Sequence, residues 1–425
     1  MSGTKVVKFL FFAWLLALGV LALSVVGFQY KNQAFSYGHV FVTTRLSLLV
    51  HLFISGCLFI VVWLLLRVLQ VSVSARRNIL MLLGSTLVTI LVLETLLRLT
   101  ALGESLQNYG ERSRGYYLRV YENHARSAYH THSPNSTITL KSLFFSYPRQ
   151  TNSLGISFPE IPIEKEPGEI RIMALGDSFT EGDGAPADST WMKALERELR
   201  QRYPYVRFTF INAGVCGSDP VFAFRLFKDK LLVYRPDIVL AATNLSDLDD
   251  LIMRGGRERF FGNDSCRFRR GPRWENIYAF SYLFRLFIHT RYNKIFLTPE
   301  EDRQKRKEAV AEIAATFNQF HDLCEASGCR FIAVLMPVTV DVTQEKLVTI
   351  GQLADTLGAD PPFPVINLLP YYLNKGGINK YNVHDYYWPM DGHHTSRGYE
   401  IFGKGVADYL ITHRMVADSL QQSEQ

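Results

Sequence analysis

Residues 171–184 read RIMALGDSFTEGDG, and this stretch decides the fold. Residues 171–175 are mostly apolar and run directly into a glycine, an aspartate and a serine. This pattern predicts a buried strand that ends in a tight turn carrying Ser178. After it, short apolar or β-branched runs alternate with helical patterns. The alternation predicts an α/β fold, a doubly wound sandwich whose parallel sheet is covered by helices.

The remaining elements of this sandwich can be placed along the chain. A helix is expected where Trp191, Leu195 and Leu199 recur every fourth residue. Further strands are predicted at 206–211, 237–243, 330–336 and 365–368, and further helices at 221–235, 302–327 and 397–413. In such a sheet, ligands bind beyond the carboxyl ends of the strands.

The first hundred residues have a different character. Apolar stretches at 6–28, 46–69 and 79–99 are each long enough for a transmembrane helix, which needs about 20 residues. For the first stretch, a cleaved signal peptide with Lys5 and Lys8 as its basic region is the alternative. Its apolar run is long for a signal peptide and two further stretches follow, so we expect three retained helices.

Basic residues predict how these helices are oriented. Lys5 and Lys8 precede the first span, and Arg67, Arg76 and Arg77 flank the connection between the second and third. The positive-inside tendency places them in the cytoplasm. Everything after the third span then lies outside it, and we expect a multi-pass protein of a bacterial inner membrane. On the third span, Glu94 and Arg98 are four residues apart and can pair near its outer end.

The sequence therefore divides into four parts. We predict a membrane anchor at 1–102, a juxtamembrane connector at 103–150, the α/β domain at 151–418 and a polar tail at 419–425. The α/β domain contains an arginine-rich insertion at about 251–300.

The formal net charge is +6, and nine arginines lie between Arg254 and Arg291. Aromatic residues interleave with them, a pattern also found in nucleic-acid-binding proteins. An extracytoplasmic location argues against nucleic acid. Anionic lipid headgroups or an acidic polysaccharide fit better, and a solvated surface insertion is an equally open interpretation.

The five cysteines give no metal signature. No CxxC pair or histidine-rich tract suggests zinc, so neither a metal nor a cofactor is expected. In an oxidising compartment, Cys324 and Cys329 are the nearest pair for a disulfide. Cys216 is expected to be a packing residue.

Four short segments at predicted strand or helix ends carry the candidate chemistry. They are GDSFT at 176–180, NAGVCG at 212–217, Asn244 and DGHH at 391–394. A serine hydroxyl becomes a good nucleophile when a neighbouring base takes its proton, and histidine titrates in the right range. Asp391 can orient that histidine. The three-residue spacing from Asp391 favours His394 over its neighbour His393 as the base.

The negative charge that develops on a substrate carbonyl needs hydrogen-bond donors aimed at it. The amides of Ser178 and Gly217 and the side chain of Asn244 are the candidates. The glycine at 217 lets the backbone come close to a substrate. Asp177 is expected to cap the turn that holds Ser178. Two further acids of that segment, Glu181 and Asp183, either line the pocket or lie in a solvated turn, and the solvated turn is favoured.

These segments resemble blocks I, II, III and V of the SGNH or GDSL hydrolase superfamily, over residues 150–418. The resemblance implies Ser178 as nucleophile, Gly217 and Asn244 as oxyanion donors, and His394 as the base positioned by Asp391. The segment NSLG at 152–155 also resembles a lead-in seen in membrane-bound members. The third block departs from the family pattern, because Asn244 is followed by a leucine where an aspartate is usual.

Three functions are compatible with the sequence. The first is a serine esterase that removes acyl groups, such as acetyl, from an extracytoplasmic glycan or lipid. The second is an O-acyltransferase that takes an acyl group from a membrane partner and passes it to a polysaccharide, as membrane-tethered SGNH proteins resembling alginate acetylation factors do. The third is a non-catalytic envelope binding protein. The first two share an acyl-enzyme on Ser178.

Overall fold

The described residues of the computed structural model are 44–99, 129–142, 144–261, 265–266, 274, 278, 281–293, 295–389 and 391–416. The predicted first span and the polar tail lie outside them. The chain forms two units, one of Met1–Ala125 with Phe268–Asp302 and one of Arg126–Arg267 with Arg303–Gln425.

The elements are numbered here in chain order. The helices are α1 Thr44–Val68, α2 Val73–Leu99, α3 Ser178–Glu181, α4 Trp191–Arg202, α5 Pro220–Leu226, α6 Leu245–Arg254, α7 Tyr282–His289, α8 Pro299–Ser327, α9 Thr339–Thr343, α10 Gly351–Leu357, α11 Leu369–Asn374 and α12 Ser396–Thr412. The strands are β1 Thr137–Lys141, β2 Ser146–Gln150, β3 Glu169–Gly176, β4 Arg207–Gly214, β5 Ile238–Thr243, β6 Phe260–Phe261, β7 Ser265–Cys266, β8 Arg330–Leu335 and β9 Val365–Asn367.

The first unit contains α1, α2 and α7. Within α2, Val73–Leu97 is long and apolar enough to cross a membrane, with a mean hydropathy of 2.2. The apolar part of α1, Leu52–Val68, is shorter. The second and third predicted spans are therefore helices. Their insertion in a bilayer stays a prediction.

Within the described residues of the second unit, the main sheet has five parallel strands in the order β4-β3-β5-β8-β9. This confirms the predicted parallel α/β fold, and the five predicted strands match these five with small differences at their ends. The order of connection reverses between β3 and β5. Open sheets bind ligands beyond the carboxyl ends at such a point. Ser178 follows β3 and Asn244 follows β5, so the topology brings them to this crevice.

Helices cover both faces of the sheet. On one face, Ile172 packs in a core with Trp191 of α4 and Phe402 of α12, whose rings stack at 4.5 Å. On the helix α8, an apolar stripe that includes Ile313 and Phe317 is buried, and Phe320 stacks on Phe331 of β8 at 5.1 Å. Each such side chain, fully removed from water, stabilises the fold by about 1.5–3 kcal/mol.

The second unit begins earlier than the predicted boundary at 151. The hairpin β1–β2 belongs to it, with Thr137 opposite Gln150. Arg149, a buried residue of β2, donates hydrogen bonds to the carbonyls of Gly182 at 2.9 Å and Ala185 at 3.1 Å. Part of the predicted connector is therefore built into the second unit. The arginine-rich insertion is divided between the units, because residues 268–302 belong to the first unit, with α1 and α2.

Candidate active site

Ser178 is the first residue of α3, a single helical turn directly after β3. Asp177 caps this turn, because its Oδ1 accepts a hydrogen bond from the Phe179 amide at 3.0 Å. The predicted capping role of Asp177 is confirmed. The turn places Ser178, a residue that is 8% exposed, at the carboxyl edge of the sheet.

A hydrogen-bonded chain joins Ser178 to the loop before α12. The Ser178 Oγ lies 2.7 Å from Nε2 of His393, and Nδ1 of the same ring lies 2.6 Å from Oδ1 of Asp391. The side chains of His393 and Asp391 are 20% and 17% exposed. A hydroxyl, an imidazole and a carboxylate are thus in line and within reach of a substrate.

The predicted pairing of His394 with Ser178 is wrong. His394 is fully buried, and its Nε2 contacts the Tyr372 hydroxyl at 3.0 Å. The ring packs against those of Tyr387 and Tyr399. The reason is local backbone geometry. The segment pairs with Tyr387 as a β-bridge, and successive side chains of extended backbone point to opposite sides, so only one of the two histidines can face Ser178.

The surroundings tune the two histidines in opposite directions. Burial disfavours the His393 imidazolium, but the hydrogen bond to Asp391 and the charges of Asp183 and Asp391 outweigh burial, so the pKa of His393 is raised. For His394, burial and then the charge of His393 lower the pKa to about 3. His393 is the histidine suited to accept a proton near neutral pH.

Asp391 is held as a carboxylate. Burial on its own raises the pKa of this group, but the hydrogen bonds and charge of His393 outweigh burial, and the net pKa is lowered. Asp391 can therefore accept the Nδ1 proton of His393 across the pH range in which that ring titrates. This fixes the ring with Nε2 toward Ser178.

The backbone amides of Ser178 and Gly217 donate no hydrogen bond to any of the described residues. Gly217 has φ +67°, in the left-handed region that favours glycine. The structure thus leaves both predicted oxyanion amides able to donate.

Asn244 is placed at the same edge, but its side chain is engaged. Its Oδ1 accepts from the Ser246 amide at 2.8 Å, capping α6, and its Nδ2 donates to Asp177 Oδ2 at 3.0 Å. Asp247 completes a capping box by accepting from the Asn244 amide at 2.7 Å. Asn244 therefore ties the end of β5 to the turn after β3. A role for its second Nδ2 hydrogen as an oxyanion donor stays a prediction.

Glu181 does not lie in a solvated turn, as the sequence suggested. It is 1% exposed, and its carboxylate accepts three hydrogen bonds. Oε1 accepts from His132 Nε2 at 2.7 Å and from Ser157 Oγ at 2.9 Å, and Oε2 accepts from the Cys216 amide at 2.8 Å. Burial lowers the pKa of His132, but the hydrogen bond and charge of Glu181 outweigh burial, and the net pKa of His132 is raised.

His132 and Ser157 are site residues that the sequence interpretation missed. Both residues lie next to the turn formed by the NSLG segment. In this turn Asn152 Oδ1 accepts hydrogen bonds from the amides of Leu154 and Ile156, both at 3.0 Å. A Cβ at Gly155, φ +73°, would lie 2.0 Å from the His132 carbonyl. The glycine of NSLG, next to the polar side chain of Asn152, was the only feature of the sequence that could have predicted this turn. No sequence pattern around His132 predicts its role.

Asp183 faces the site from the same segment. Its Oδ1 is inaccessible to water and has no hydrogen-bond partner among the described residues. Burial, together with the charge of Glu181, raises the pKa of Asp183 to about 7. The solvated turn predicted for Asp183 is therefore wrong for its carboxyl group, which is a second titratable neighbour of His393.

Aromatic side chains lie around the ring of His393. Phe179 packs against its ring at a centroid distance of 4.6 Å, and Phe145 meets it edge-on at 6.4 Å. Trp388 lies 6.1 Å from Phe145 and 6.2 Å from Phe144, and its Nε1 donates to the Gly184 carbonyl at 2.8 Å. We call Phe144, Phe145 and Trp388 the aromatic wall.

The cysteines take no part in the hydrogen-bonded chain. Burial and nearby carboxylates raise the pKa of Cys216 well above its usual value, so it is a thiol and not a thiolate nucleophile. Cys324 and Cys329 are buried free thiols in the structure.

We expect Glu181→Ala to destabilise the second unit by about 1–3 kcal/mol, because it leaves the three hydrogen-bond donors of this buried carboxylate without their acceptor. Thermal unfolding of the full chain in detergent measures this. Glu325→Ala is the matched control, since that side chain is 70% exposed and its change should be within about 0.5 kcal/mol. Equal melting temperatures for the two variants would contradict the structural role of Glu181.

Comparison with known proteins gives structural neighbours only. No family model matches the chain, and no curated protein matches it by sequence. A two-domain esterase active on acetylated mannans, crystallised with mannopentaose, is 15% identical with a TM-score of 0.33, and the match covers 58% of this chain and 50% of that one. The chain thus spans about half the length of that enzyme.

For two other solved structures, the match covers a larger share of their own chains. An acetyl xylan esterase is 13% identical with a TM-score of 0.36, over 57% of this chain and all of that one. A GDSL-like lipase from Bacteroides thetaiotaomicron is 13% identical with a TM-score of 0.32, over 57% and 88% of the two chains. The resemblance concerns the fold, and the side-chain geometry described above is the basis for any statement on chemistry.

Proposed function

We propose that this chain is a serine esterase of the SGNH type that cleaves acyl esters of an extracytoplasmic glycan or lipid, O-acetyl esters in particular. The observation that carries the proposal is the chain of hydrogen bonds from Ser178 through His393 to Asp391. Side chains from two distant segments of the sequence, Ser178 on one side and Asp391 with His393 on the other, converge at the switch point of a doubly wound sheet.

The geometry supports a two-step mechanism. His393 Nε2 takes the Ser178 proton as Oγ attacks the ester carbonyl, and the amides of Ser178 and Gly217 stabilise the oxyanion. The tetrahedral intermediate collapses, the leaving alcohol receives the proton from His393, and an acyl-serine remains. Water, deprotonated by His393, then attacks the acyl-serine, and the acid is released with Ser178 regenerated. Neither step calls on a metal or cofactor.

The aromatic wall supports a carbohydrate as the alcohol part of the ester. Aromatic side chains offer flat apolar faces with few internal degrees of freedom, which suit the C–H face of a sugar ring. One ring of the wall, that of Phe145, lies 6.4 Å from the ring of His393, which has to deliver the proton to the leaving alcohol.

Membrane anchoring through α2 belongs to the same proposal. The apolar span of α2 and the basic residues at its start, Arg76 and Arg77, support a helix that enters from the cytoplasmic side, with the second unit outside. A reporter fused after Gln425 that is active only in the cytoplasm would overturn this orientation. An anchored enzyme meets membrane lipid and can meet a membrane acyl-transfer partner.

The experiment that tests the proposal uses the full chain in detergent or native membranes, with short-chain chromogenic esters and acetylated glycans. Acid release that depends on Ser178, with an acyl group found on Ser178 by mass spectrometry, supports the esterase. Release that accelerates only when a sugar acceptor is added supports acyl transfer through the same intermediate. Equal release by wild type and Ser178→Ala would leave only a binding function.

Activity should fall as the pH drops through the raised pKa of His393, because the base must be neutral to accept the Ser178 proton. An ionised Asp183 favours the imidazolium. We therefore expect Asp183→Asn to lower the pKa of His393 and to move the acid limb of the kcat/KM profile to lower pH. Asp188→Asn, at an exposed position of the same segment, should leave the limb in place. A shift to higher pH in Asp183→Asn would contradict this electrostatic role.

A further inference from the structure

Glu94 of the apolar helix α2 is fully buried and caps another helix. Its carboxylate accepts hydrogen bonds from the Ser281 hydroxyl, from the Tyr282 amide at 2.9 Å and from the Leu283 amide at 3.1 Å. These are groups at the start of α7. The first N–H groups of a helix have no partners within it and carry partial positive charge, so a carboxylate there is stabilised. Glu94 thus attaches α7, part of the arginine-rich insertion, to α2.

In the helix α7 a charged residue is buried and apolar residues are exposed, the reverse of a helix on the surface of a soluble protein. Arg285 is fully buried, with Nε donating to the Tyr278 carbonyl at 2.9 Å and the guanidinium 4.4 Å from the Tyr282 ring centroid. Leu286 and Phe287, in contrast, are 37% and 52% exposed. Together with half-buried Leu283 they form one face, since residues three and four apart are neighbours on a helix.

The position of Glu94 along α2 determines the depth of this face in a bilayer. The apolar span of 25 residues is about 37 Å long, whereas the hydrocarbon core of a bilayer is about 30 Å thick. Glu94 lies three residues before the end of the span at Leu97, which is about 4.5 Å along the axis. In an anchored protein, Glu94 and the start of α7 therefore lie at the boundary between hydrocarbon and headgroups.

The rest of the segment has the composition of a membrane interface. Trp274, Tyr278 and Tyr292 pack around Phe296, and aromatic rings of this type are enriched at headgroup level. Residues 267–294 carry six arginines and one lysine against one carboxylate, Glu275. This excess of positive charge favours anionic headgroups.

We infer that α7 is an interfacial helix whose face of Leu283, Leu286 and Phe287 inserts into the lipid at the edge of the hydrocarbon core, with Glu94 as its attachment to α2. The occupant of the face is lipid and not a protein partner. The inference rests on the proposed membrane anchoring and adds a second point of contact with the bilayer.

The test places the photo-crosslinker p-benzoylphenylalanine at position 287 of the full chain in native membranes, followed by mass spectrometry. Val92, a half-exposed residue of α2, is the lipid-facing reference, and fully exposed Tyr205 is the aqueous control. We expect phospholipid adducts at positions 287 and 92 and none at 205. Adducts at 92 with none at 287, or a protein adduct at 287, would overturn the inference and leave the anchoring intact. The absence of lipid adducts at 92 would overturn the anchoring itself.

Glu94→Ala tests the attachment. Loss of a helix cap shifts a local equilibrium about fivefold, so we expect the lipid adduct at position 287 to fall about fivefold while the adduct at 92 is unchanged. Glu94→Gln keeps one acceptor oxygen and should give an intermediate yield. An unchanged yield at 287 in Glu94→Ala would show that Glu94 does not hold α7. Ester hydrolysis by each variant checks that the catalytic unit remains folded.

Discussion

Ser178→Ala is expected to lower kcat/KM for an ester substrate by about 10⁵-fold or more, with little change in KM. The hydroxyl supplies the bond that forms the acyl-enzyme, and its proton has a prepared acceptor in His393 at 2.7 Å. Removal of a nucleophile that acts as a unit with its base abolishes nearly all covalent catalysis. Initial rates of full-length wild type and variant at saturating and limiting substrate measure both constants.

The control for this variant is Ser189→Ala, in the 3₁₀ turn Ala187–Ser189 before α4. It removes a hydroxyl from the same unit and should leave kcat and KM unchanged. A Ser178→Ala enzyme with more than about a tenth of the wild-type rate would exclude the covalent mechanism, because the remaining donors account for only a small part of such catalysis.

His393→Ala is expected to lower kcat by about 10⁴-fold, whereas His394→Ala should retain most of its turnover and lose stability instead. His393 is the only one of the two adjacent histidines whose ring meets Ser178 and Asp391. His394 is buried among tyrosines, and its removal leaves the Tyr372 hydroxyl without that partner and opens a cavity. These losses cost about 2–4 kcal/mol.

The two histidine variants control each other, because both lose the same group from adjacent positions. Rates are compared at a temperature at which circular dichroism shows both to be folded, and thermal unfolding is measured separately. We expect the melting temperature to fall more for His394→Ala and the rate to fall more for His393→Ala. The opposite assignment of the two effects would mean that Ser178 recruits His394 after a rearrangement of the loop.

The local patterns predicted the sheet well. The strand at 171–175 followed by GDS, and the apolar stripe of α8, are properties of short segments whose period and end signals can be recognised without tertiary contacts. For the same reason the cap at Asp177 was foreseeable. The order of these segments along the chain also predicted that Ser178 and Asp391 lie at the same edge of the sheet.

The choice between His393 and His394 was not foreseeable from spacing. A three-residue interval from Asp391 places His394 well only if the segment turns like a helix, whereas the structure has extended backbone paired with Tyr387. A shift of one residue in extended backbone reverses the direction of the side chain. The direction of each ring is set by what packs behind it, here Tyr372, Tyr387 and Tyr399.

The sequence by itself determined the parallel α/β fold, the serine at the first strand end and the apolar helices of the N-terminal region. Those follow from periodicity and chain order. Tertiary structure alone decided which histidine meets Ser178, that Glu181 is buried between His132 and the Cys216 amide, and that Glu94 caps α7. In each of these cases the hydrogen-bond partners are far apart in the chain. In the unfolded chain such groups bond to water, and they bond to each other only when the packing of the fold brings them together and excludes that water.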